Sequence, residues 1–220
     1  MLVVALAGAC SESTESPPPD DDENAPQASV RDRVGKTFVY TCNDGLRFTA
    51  RIEGEMAWLF LPSGTLKLQK EEAASGARYG NGSVTFWSKA GEALLDRTDQ
   101  PRLQCVNDRA QAIWEDAKLR GADFRGRGNE PGWHIEISKS YGIVFVTNYG
   151  ADRYHFETFQ SVSDETSRKT TFITSDAERE LRVTLEGRRC SDSMSGETFA
   201  TAVTVTFDGK QLNGCGKALH

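Results

Sequence analysis

The sequence predicts an all-β protein, built from two antiparallel β-rich parts joined by a short helix. Three observations carry that expectation. From residue 30 to 105, short runs of alternating apolar and polar residues are separated by Gly-, Asn- and Pro-containing turns. Four of the five cysteines fall into two local pairs, Cys42 with Cys105 and Cys190 with Cys215, the usage of small domains in an oxidising compartment. Helical spacing of apolar residues marks a segment, 106–121, between the two parts.

Residues 1–10, Met-Leu-Val-Val-Ala-Leu-Ala-Gly-Ala-Cys, resemble the end of a bacterial lipoprotein signal peptide. Small residues Ala7, Gly8 and Ala9 precede Cys10, as cleavage before a lipid-modified cysteine requires. Ala7 stands where Leu is usual, and no basic segment precedes the apolar run, so the true start is expected upstream. The plainer alternative is an ordinary secretory signal with an accidental cysteine. Cysteine arithmetic favours acylation, because Cys10 is the one left over from two pairs. A membrane anchor at Cys10 would bury acyl chains at about 0.8 kcal/mol per methylene. Ser11 rather than Asp after the cysteine, by resemblance to Gram-negative lipoproteins, implies the outer membrane, facing the periplasm.

Residues 11–29 hold six acids (Glu12, Glu15, Asp20, Asp21, Asp22 and Glu23), Pro17-Pro18-Pro19 and no core-forming side chains, and read as a disordered acidic tether. Net charge is −6, but removing those six acids from 32 leaves 26, equal to the 26 Lys plus Arg. The remainder is formally neutral. No basic patch with interleaved aromatics stands out, which argues against a nucleic-acid partner.

The first part, 30–105, begins with Thr37–Thr41, an Asn43-Asp44-Gly45 turn and the alternating run Leu46–Ile52. Ala57–Leu61 and Thr65–Leu68 flank Pro62-Ser63-Gly64. Such a series argues a barrel or a sandwich. A Cys42–Cys105 bridge spanning it nearly end to end would add roughly 4 kcal/mol by restricting the unfolded chain.

The next hairpin carries the functional signal. Gly80-Asn81-Gly82-Ser83 separates Gly76–Tyr79 from Val84–Trp87. With Asn81 and Gly82 as a two-residue turn, Tyr79 faces Val84, Ala77 faces Phe86 and Ser75 faces Ser88. Ser75 and Lys89 then meet at the open end, pointing apart in a strict pleat unless Gly76 re-aims Ser75. The bland reading is a turn at Ser75-Gly76 and a solvated strand end at Lys89.

Ser75-Gly76-Ala77-Arg78-Tyr79 and Phe86-Trp87-Ser88-Lys89-Ala90-Gly91-Glu92-Ala93 together resemble the paired signature of the MliC/PliC family, bacterial inhibitors of C-type lysozyme. The family usually has Gly directly after the Lys, where Ala90 stands here. The resemblance implies a small eight-stranded antiparallel barrel and a protein that is not an enzyme. It places Ser75, Gly76, Tyr79 and Lys89 in the lysozyme-binding element, with Ser75 and Lys89 entering the cleft and Tyr79 shaping the hairpin. A glycosidase of that kind presents one protonated and one ionised carboxyl group. A hydroxyl can serve both states, and an ammonium suits the ionised one.

In the linking helix Asp108 offers a cap, Gln111 sits at the capping-box position and Gly121 offers a stop. Ala110, Ile113, Trp114 and Ala117 are expected to form its apolar face. In the last part, 122–220, Gly128-Asn129-Glu130-Pro131-Gly132-Trp133 places Pro131-Gly132 at the centre of an expected type II turn, and His134–Ile137 alternates as a strand. With Cys190-Ser191-Asp192-Ser193-Met194-Ser195-Gly196, these motifs resemble an uncharacterised family of bacterial envelope proteins. A Cys190–Cys215 bridge is expected to clamp the last strands around Thr201–Phe207. His134 and Glu136 share a strand face expected to be exposed, and with His155 they make a weak metal signal. Ser193 and Ser195 sit in no nucleophile elbow. No catalytic residue, metal site or cofactor is implied. The competing functional class is an envelope adaptor whose second part binds a small molecule or cell-wall component.

Overall fold

β1 (Lys36–Cys42) opens a meander of eight antiparallel strands: β2 (Arg47–Glu53), β3 (Met56–Leu61), β4 (Gly64–Glu71), β5 (Ala77–Gly80), β6 (Val84–Lys89), β7 (Glu92–Arg97) and β8 (Leu103–Asn107). β8 returns to pair with β1 and closes a barrel. In this computed structural model residues 35–220 are described; Cys10 and the tether expected over 11–29 lie outside the described residues.

Alternation builds the barrel core. In β3, Ala57, Leu59 and Leu61 turn inward while Met56, Trp58 and Phe60 are partly exposed. Tyr40 stacks on Phe48 and meets Phe86 edge-on, each with ring centroids 5.5 Å apart. Burial pushes the Tyr40 hydroxyl up to about 12. Cys42 and Cys105 are directly opposed across the β1–β8 seam and form the expected disulfide. The bridge therefore crosslinks the two strands whose pairing closes the barrel.

The β5–β6 register differs from the sequence expectation. Tyr79 opposes Phe86 and Ala77 opposes Ser88, a shift of two residues. The reason is the role of Asn81. Its side chain accepts from the Ser83 and Val84 backbone N–H groups at 3.1 and 2.9 Å, which puts Asn81 at the corner. Gly82 (φ +88°) and Ser83 are therefore the central residues.

α1 (Arg109–Leu119) starts as expected, with the Asp108 carboxylate accepting from the Gln111 N–H at 3.1 Å. Its buried residues are Ala112, Trp114 and Ala117, whereas Ala110 is exposed and Ile113 is 50% exposed, which corrects half of the expected face. The helix has neighbours on two sides, so the buried positions split between them. Asp116 accepts from Thr37 of the barrel at 2.7 Å, and the Trp114 ring packs 5.2 Å from Phe199.

The remaining chain forms β9 (Phe124–Asn129), β10 (Gly132–Ser138), β11 (Gly142–Thr147), β12 (Asp152–Phe156), β13 (Gln160–Asp164), β14 (Lys169–Ser175), β15 (Glu180–Glu186), β16 (Cys190–Ser191), β17 (Thr198–Phe199), β18 (Thr201–Phe207) and β19 (Lys210–Ala218). Nine of these make one antiparallel sheet in the order β12-β11-β10-β9-β19-β18-β15-β14-β13, while β16 and β17 pair separately. The sheet curls so that Tyr154 of β12 lies 4.7 Å from Phe207 of β18. Its core gathers Trp133, Ile135, Phe145, Leu181, Val183 and Val205. Cys190 and Cys215 are bonded as expected.

Two expectations for this part are corrected. Asn129 pairs with Gly132, so Glu130-Pro131 are the central residues, and their peptide bond is cis. That makes a type VI turn in place of type II. The shared face of His134 and Glu136 is not exposed: Glu136 is 4% exposed and paired with Arg125 and Arg120. Neighbouring β9 supplies Arg125 directly opposite Glu136, and that pairing is what lets a carboxylate be buried there. A row of alternating charges thus runs from barrel to sheet. Glu53 meets Arg51 at 2.6 Å, Arg51 meets Asp116 at 3.3 Å, Asp116 pairs with Arg120, Arg120 meets Glu136 at 2.7 Å, and Glu136 pairs with Arg125.

Candidate functional site

Ser75 and Lys89 come together at one rim of the barrel. Ser75 lies in the connection between β4 and β5, and Lys89 ends β6. The Lys89 Nζ donates to the Ser75 Oγ at 3.3 Å. In a regular pleat these side chains would diverge; Gly76 removes the conflict. Its φ is +71°, and a Cβ there would strike the Ser88 carbonyl oxygen and lie 3.1 Å from the Lys89 Cβ. Only glycine allows the β4–β5 connection to lie this close to β6.

Trp87 completes the positioning. Phe86 points into the barrel, so Trp87 points out, 37% exposed, and its indole N–H donates to the Ser75 carbonyl oxygen at 2.8 Å. Sequence reasoning gave Trp87 no role, although the alternation Phe86-in, Trp87-out was legible. Tyr79 is 3% exposed and stacks on Phe86 at 6.4 Å, so it shapes the hairpin from within the core.

Lys89 opposes Glu92, leaving Ala90 and Gly91 as a two-residue turn with φ values of +51° and +91°. Positive φ at both centres is the type I′ geometry that matches strand twist. Ala90, at the position where the resemblance expects Gly, adopts the left-handed conformation at a cost of about 1–2 kcal/mol. The lysine therefore leaves β6 in regular geometry despite the displaced glycine. Asn107, from which the chain departs toward α1, donates its backbone N–H to the Gly91 carbonyl at 2.8 Å and braces this turn.

The hydrogen-bond inventory of the pair is open-ended. The Ser75 hydroxyl accepts from Lys89 with one lone pair and keeps its own proton and a second lone pair. The ammonium has three N–H donors, of which the Ser75 contact uses one. Such a pair can donate to an ionised carboxylate and accept from a protonated one. Beside it lies a concavity of about 830 Å³, lined by Trp87, Ala90, Leu94 and the 63% exposed Val106. It supplies apolar area next to the polar pair.

In the second sheet the two sequence motifs grip each other. Asp192 is 5% exposed and accepts from the backbone N–H groups of Met194 and Ser195 at 3.0 and 2.8 Å and from the Ser195 hydroxyl at 3.0 Å. Burial opposes its ionisation, but the Ser195 and Met194 hydrogen bonds outweigh it and hold the carboxyl at about 2. Arg127 reaches Asp192 at 3.3 Å and Glu197 at 3.1 Å, and Asn129 donates to Ser193 at 3.1 Å. Among the described residues no three His, Cys, Asp or Glu side chains are grouped to hold a metal ion. No helix among them is long and apolar enough to cross a membrane.

Residues 40–104 match a family model described as the membrane-bound lysozyme-inhibitor of c-type lysozyme, MliC. The match spans the barrel from β1 to β8 and contains the Ser75–Lys89 rim. No match was found among curated proteins or among solved structures.

Proposed function

We propose that the chain inhibits a C-type lysozyme by inserting the Ser75–Lys89 rim of its barrel into the active cleft. The observation that carries this reading is the 3.3 Å approach of Lys89 Nζ to Ser75 Oγ within the segment that matches the inhibitor family. The hydroxyl would address both catalytic carboxyl groups, the ammonium the ionised one, and the concavity beside Trp87 and Val106 the apolar cleft wall. The barrel acts as a plug. It has no chemistry of its own to perform.

The test is inhibition of lysozyme-driven clearing of a bacterial suspension by the full chain. Ser75→Ala and Lys89→Ala should each weaken inhibition by roughly 1–3 kcal/mol, the scale of central polar contacts. The double variant should lose less than the sum, because both groups address the same carboxyl pair. Melting temperature should barely move, since Ser75 is only half-buried and Lys89 exposed. Full inhibition by the folded double variant would remove the plug mechanism.

The same reading holds the protein at the envelope of a Gram-negative bacterium through acylated Cys10, with residues 11–29 as tether, 30–105 as inhibitor domain, 106–121 as linker and 122–220 as second domain. Support comes from the sequence, Ala-Gly-Ala before the unpaired cysteine. Cys10→Ser should shift the protein from the detergent phase to the soluble phase; unchanged partitioning would remove the anchor.

A further inference from the structure

A groove of about 710 Å³ lies where the start of β1, one face of α1 and the β9–β10 strands converge. Its floor is charge-balanced. Arg120 and Arg125 are both cationic, and Asp116 and Glu136 pair with them. Its rim is not balanced. Lys36, Arg109 and Arg153 line the same groove, all three are exposed, and none has an ion pair or side-chain hydrogen bond among the described residues.

Two cations and two acids cancel on the floor, so the groove carries three net positive charges. We propose that this groove binds a small molecule bearing an oxyanion, a carboxylate or a phosphate, seated among Lys36, Arg109 and Arg153. The inference is independent of lysozyme inhibition and concerns residues on either side of the matched family segment, 40–104. Three arguments support it. Charges of one sign converging over low-dielectric walls concentrate counter-ions, and a concave site does so more than a flat one. Guanidinium groups present paired donors that suit the planar oxygens of a carboxylate or phosphate. The volume matches that of small-molecule sites, and half-exposed Ile113 at the edge offers an apolar contact for the body of the ligand.

His134 adds a donor and an acceptor to the wall. Burial, and then the positive charge of Arg125, hold its imidazole down at about 4, so it stays neutral at physiological pH. The arginine network thus expresses its field on a group that lines the groove. A neutral imidazole can orient an oxyanion through one N–H without adding charge.

The experiment is calorimetric titration of the full chain at low ionic strength with inorganic phosphate, with N-acetylmuramic acid and with neutral N-acetylglucosamine. At least one of the two anions should bind, and which one does identifies the headgroup as phosphate or sugar carboxylate. The neutral sugar should give no saturable heat. Lys36→Gln with Arg153→Gln should weaken the anion roughly two- to tenfold per charge removed, and added salt should act in the same direction. Adding Arg109→Gln should abolish binding while the circular dichroism spectrum stays that of the parent. The inference is overturned if neither anion binds up to tens of millimolar, if the neutral sugar binds as well as the acid, or if the triple variant binds like the parent.

Discussion

The indole N–H of Trp87 donates to the backbone carbonyl of Ser75 at 2.8 Å, across from β6 to the connection before β5. That bond fixes the backbone of Ser75 and leaves its hydroxyl to Lys89. The polar tip of the rim is therefore held from two sides, by the absence of a side chain at Gly76 and by a donor on Trp87. Neither contact spends the groups that would meet an enzyme.

Trp87→Phe should keep most of the ring and remove the donor. A single neutral hydrogen bond is worth about 0.5–1.5 kcal/mol net, so inhibition should weaken roughly two- to tenfold. Thermal stability should fall by much less, because the ring is partly exposed and outside the barrel core. Titration against lysozyme checks this, and inhibition equal to that of the parent would show that Ser75 needs no such support.

Glu136→Gln should be among the most destabilising single changes in the second sheet. It removes the charge facing Arg125, whose side chain is 10% exposed, and leaves a buried guanidinium without a counter-charge. Breaking one side of a buried pair costs about 3–5 kcal/mol, whereas replacing both sides by apolar groups is often close to neutral. Glu136→Leu with Arg125→Met should therefore be more stable than Glu136→Gln in urea denaturation. The reverse order would mean that a neutral amide at this position satisfies the Arg125 guanidinium.

His134 makes stability depend on pH in a defined window. Its folded value, about 4, lies below the ordinary 6.5, so between those values the unfolded chain binds the extra proton. Its contribution is fully present above pH 6.5 and is lost as pH falls toward 4. His134→Gln should flatten that part of the stability curve, measured by denaturant midpoints at several pH values. An unchanged slope would assign the loss to other groups.

The barrel strands were legible because their signal is local. The alternation in Leu46–Ile52 and the turns at Asp44-Gly45 and Pro62-Ser63 each fix an element within a few residues. The hairpin register was not, because an Asn-Gly pair does not say whether asparagine bends with its backbone or, as here, caps the corner with its side chain. The Ser75–Lys89 pair was legible as a motif, but its 3.3 Å contact depends on Gly76 and Trp87 acting from adjacent segments. The burial of Glu136 was illegible in the run His134–Ile137, since the residue that permits it, Arg125, belongs to another strand. Long-range charge pairing leaves no periodicity to read.

The pairing of β9 with β19 gives the molecule an asymmetry in time. In the barrel, all neighbours but the closing pair are consecutive in the chain, and the set is complete once residue 107 exists. In the second sheet the first strand made and the last strand made lie side by side at the centre. While the chain is still emerging, β12 to β9 and β18 to β13 are two open ribbons, each with an unpaired inner edge awaiting residues 210–218. Unpaired edges are where chains join wrongly to other chains. The carboxy-terminal half is therefore the part whose birth needs guarding, and a truncation just before β19 would split that sheet down its middle while sparing every strand of the barrel.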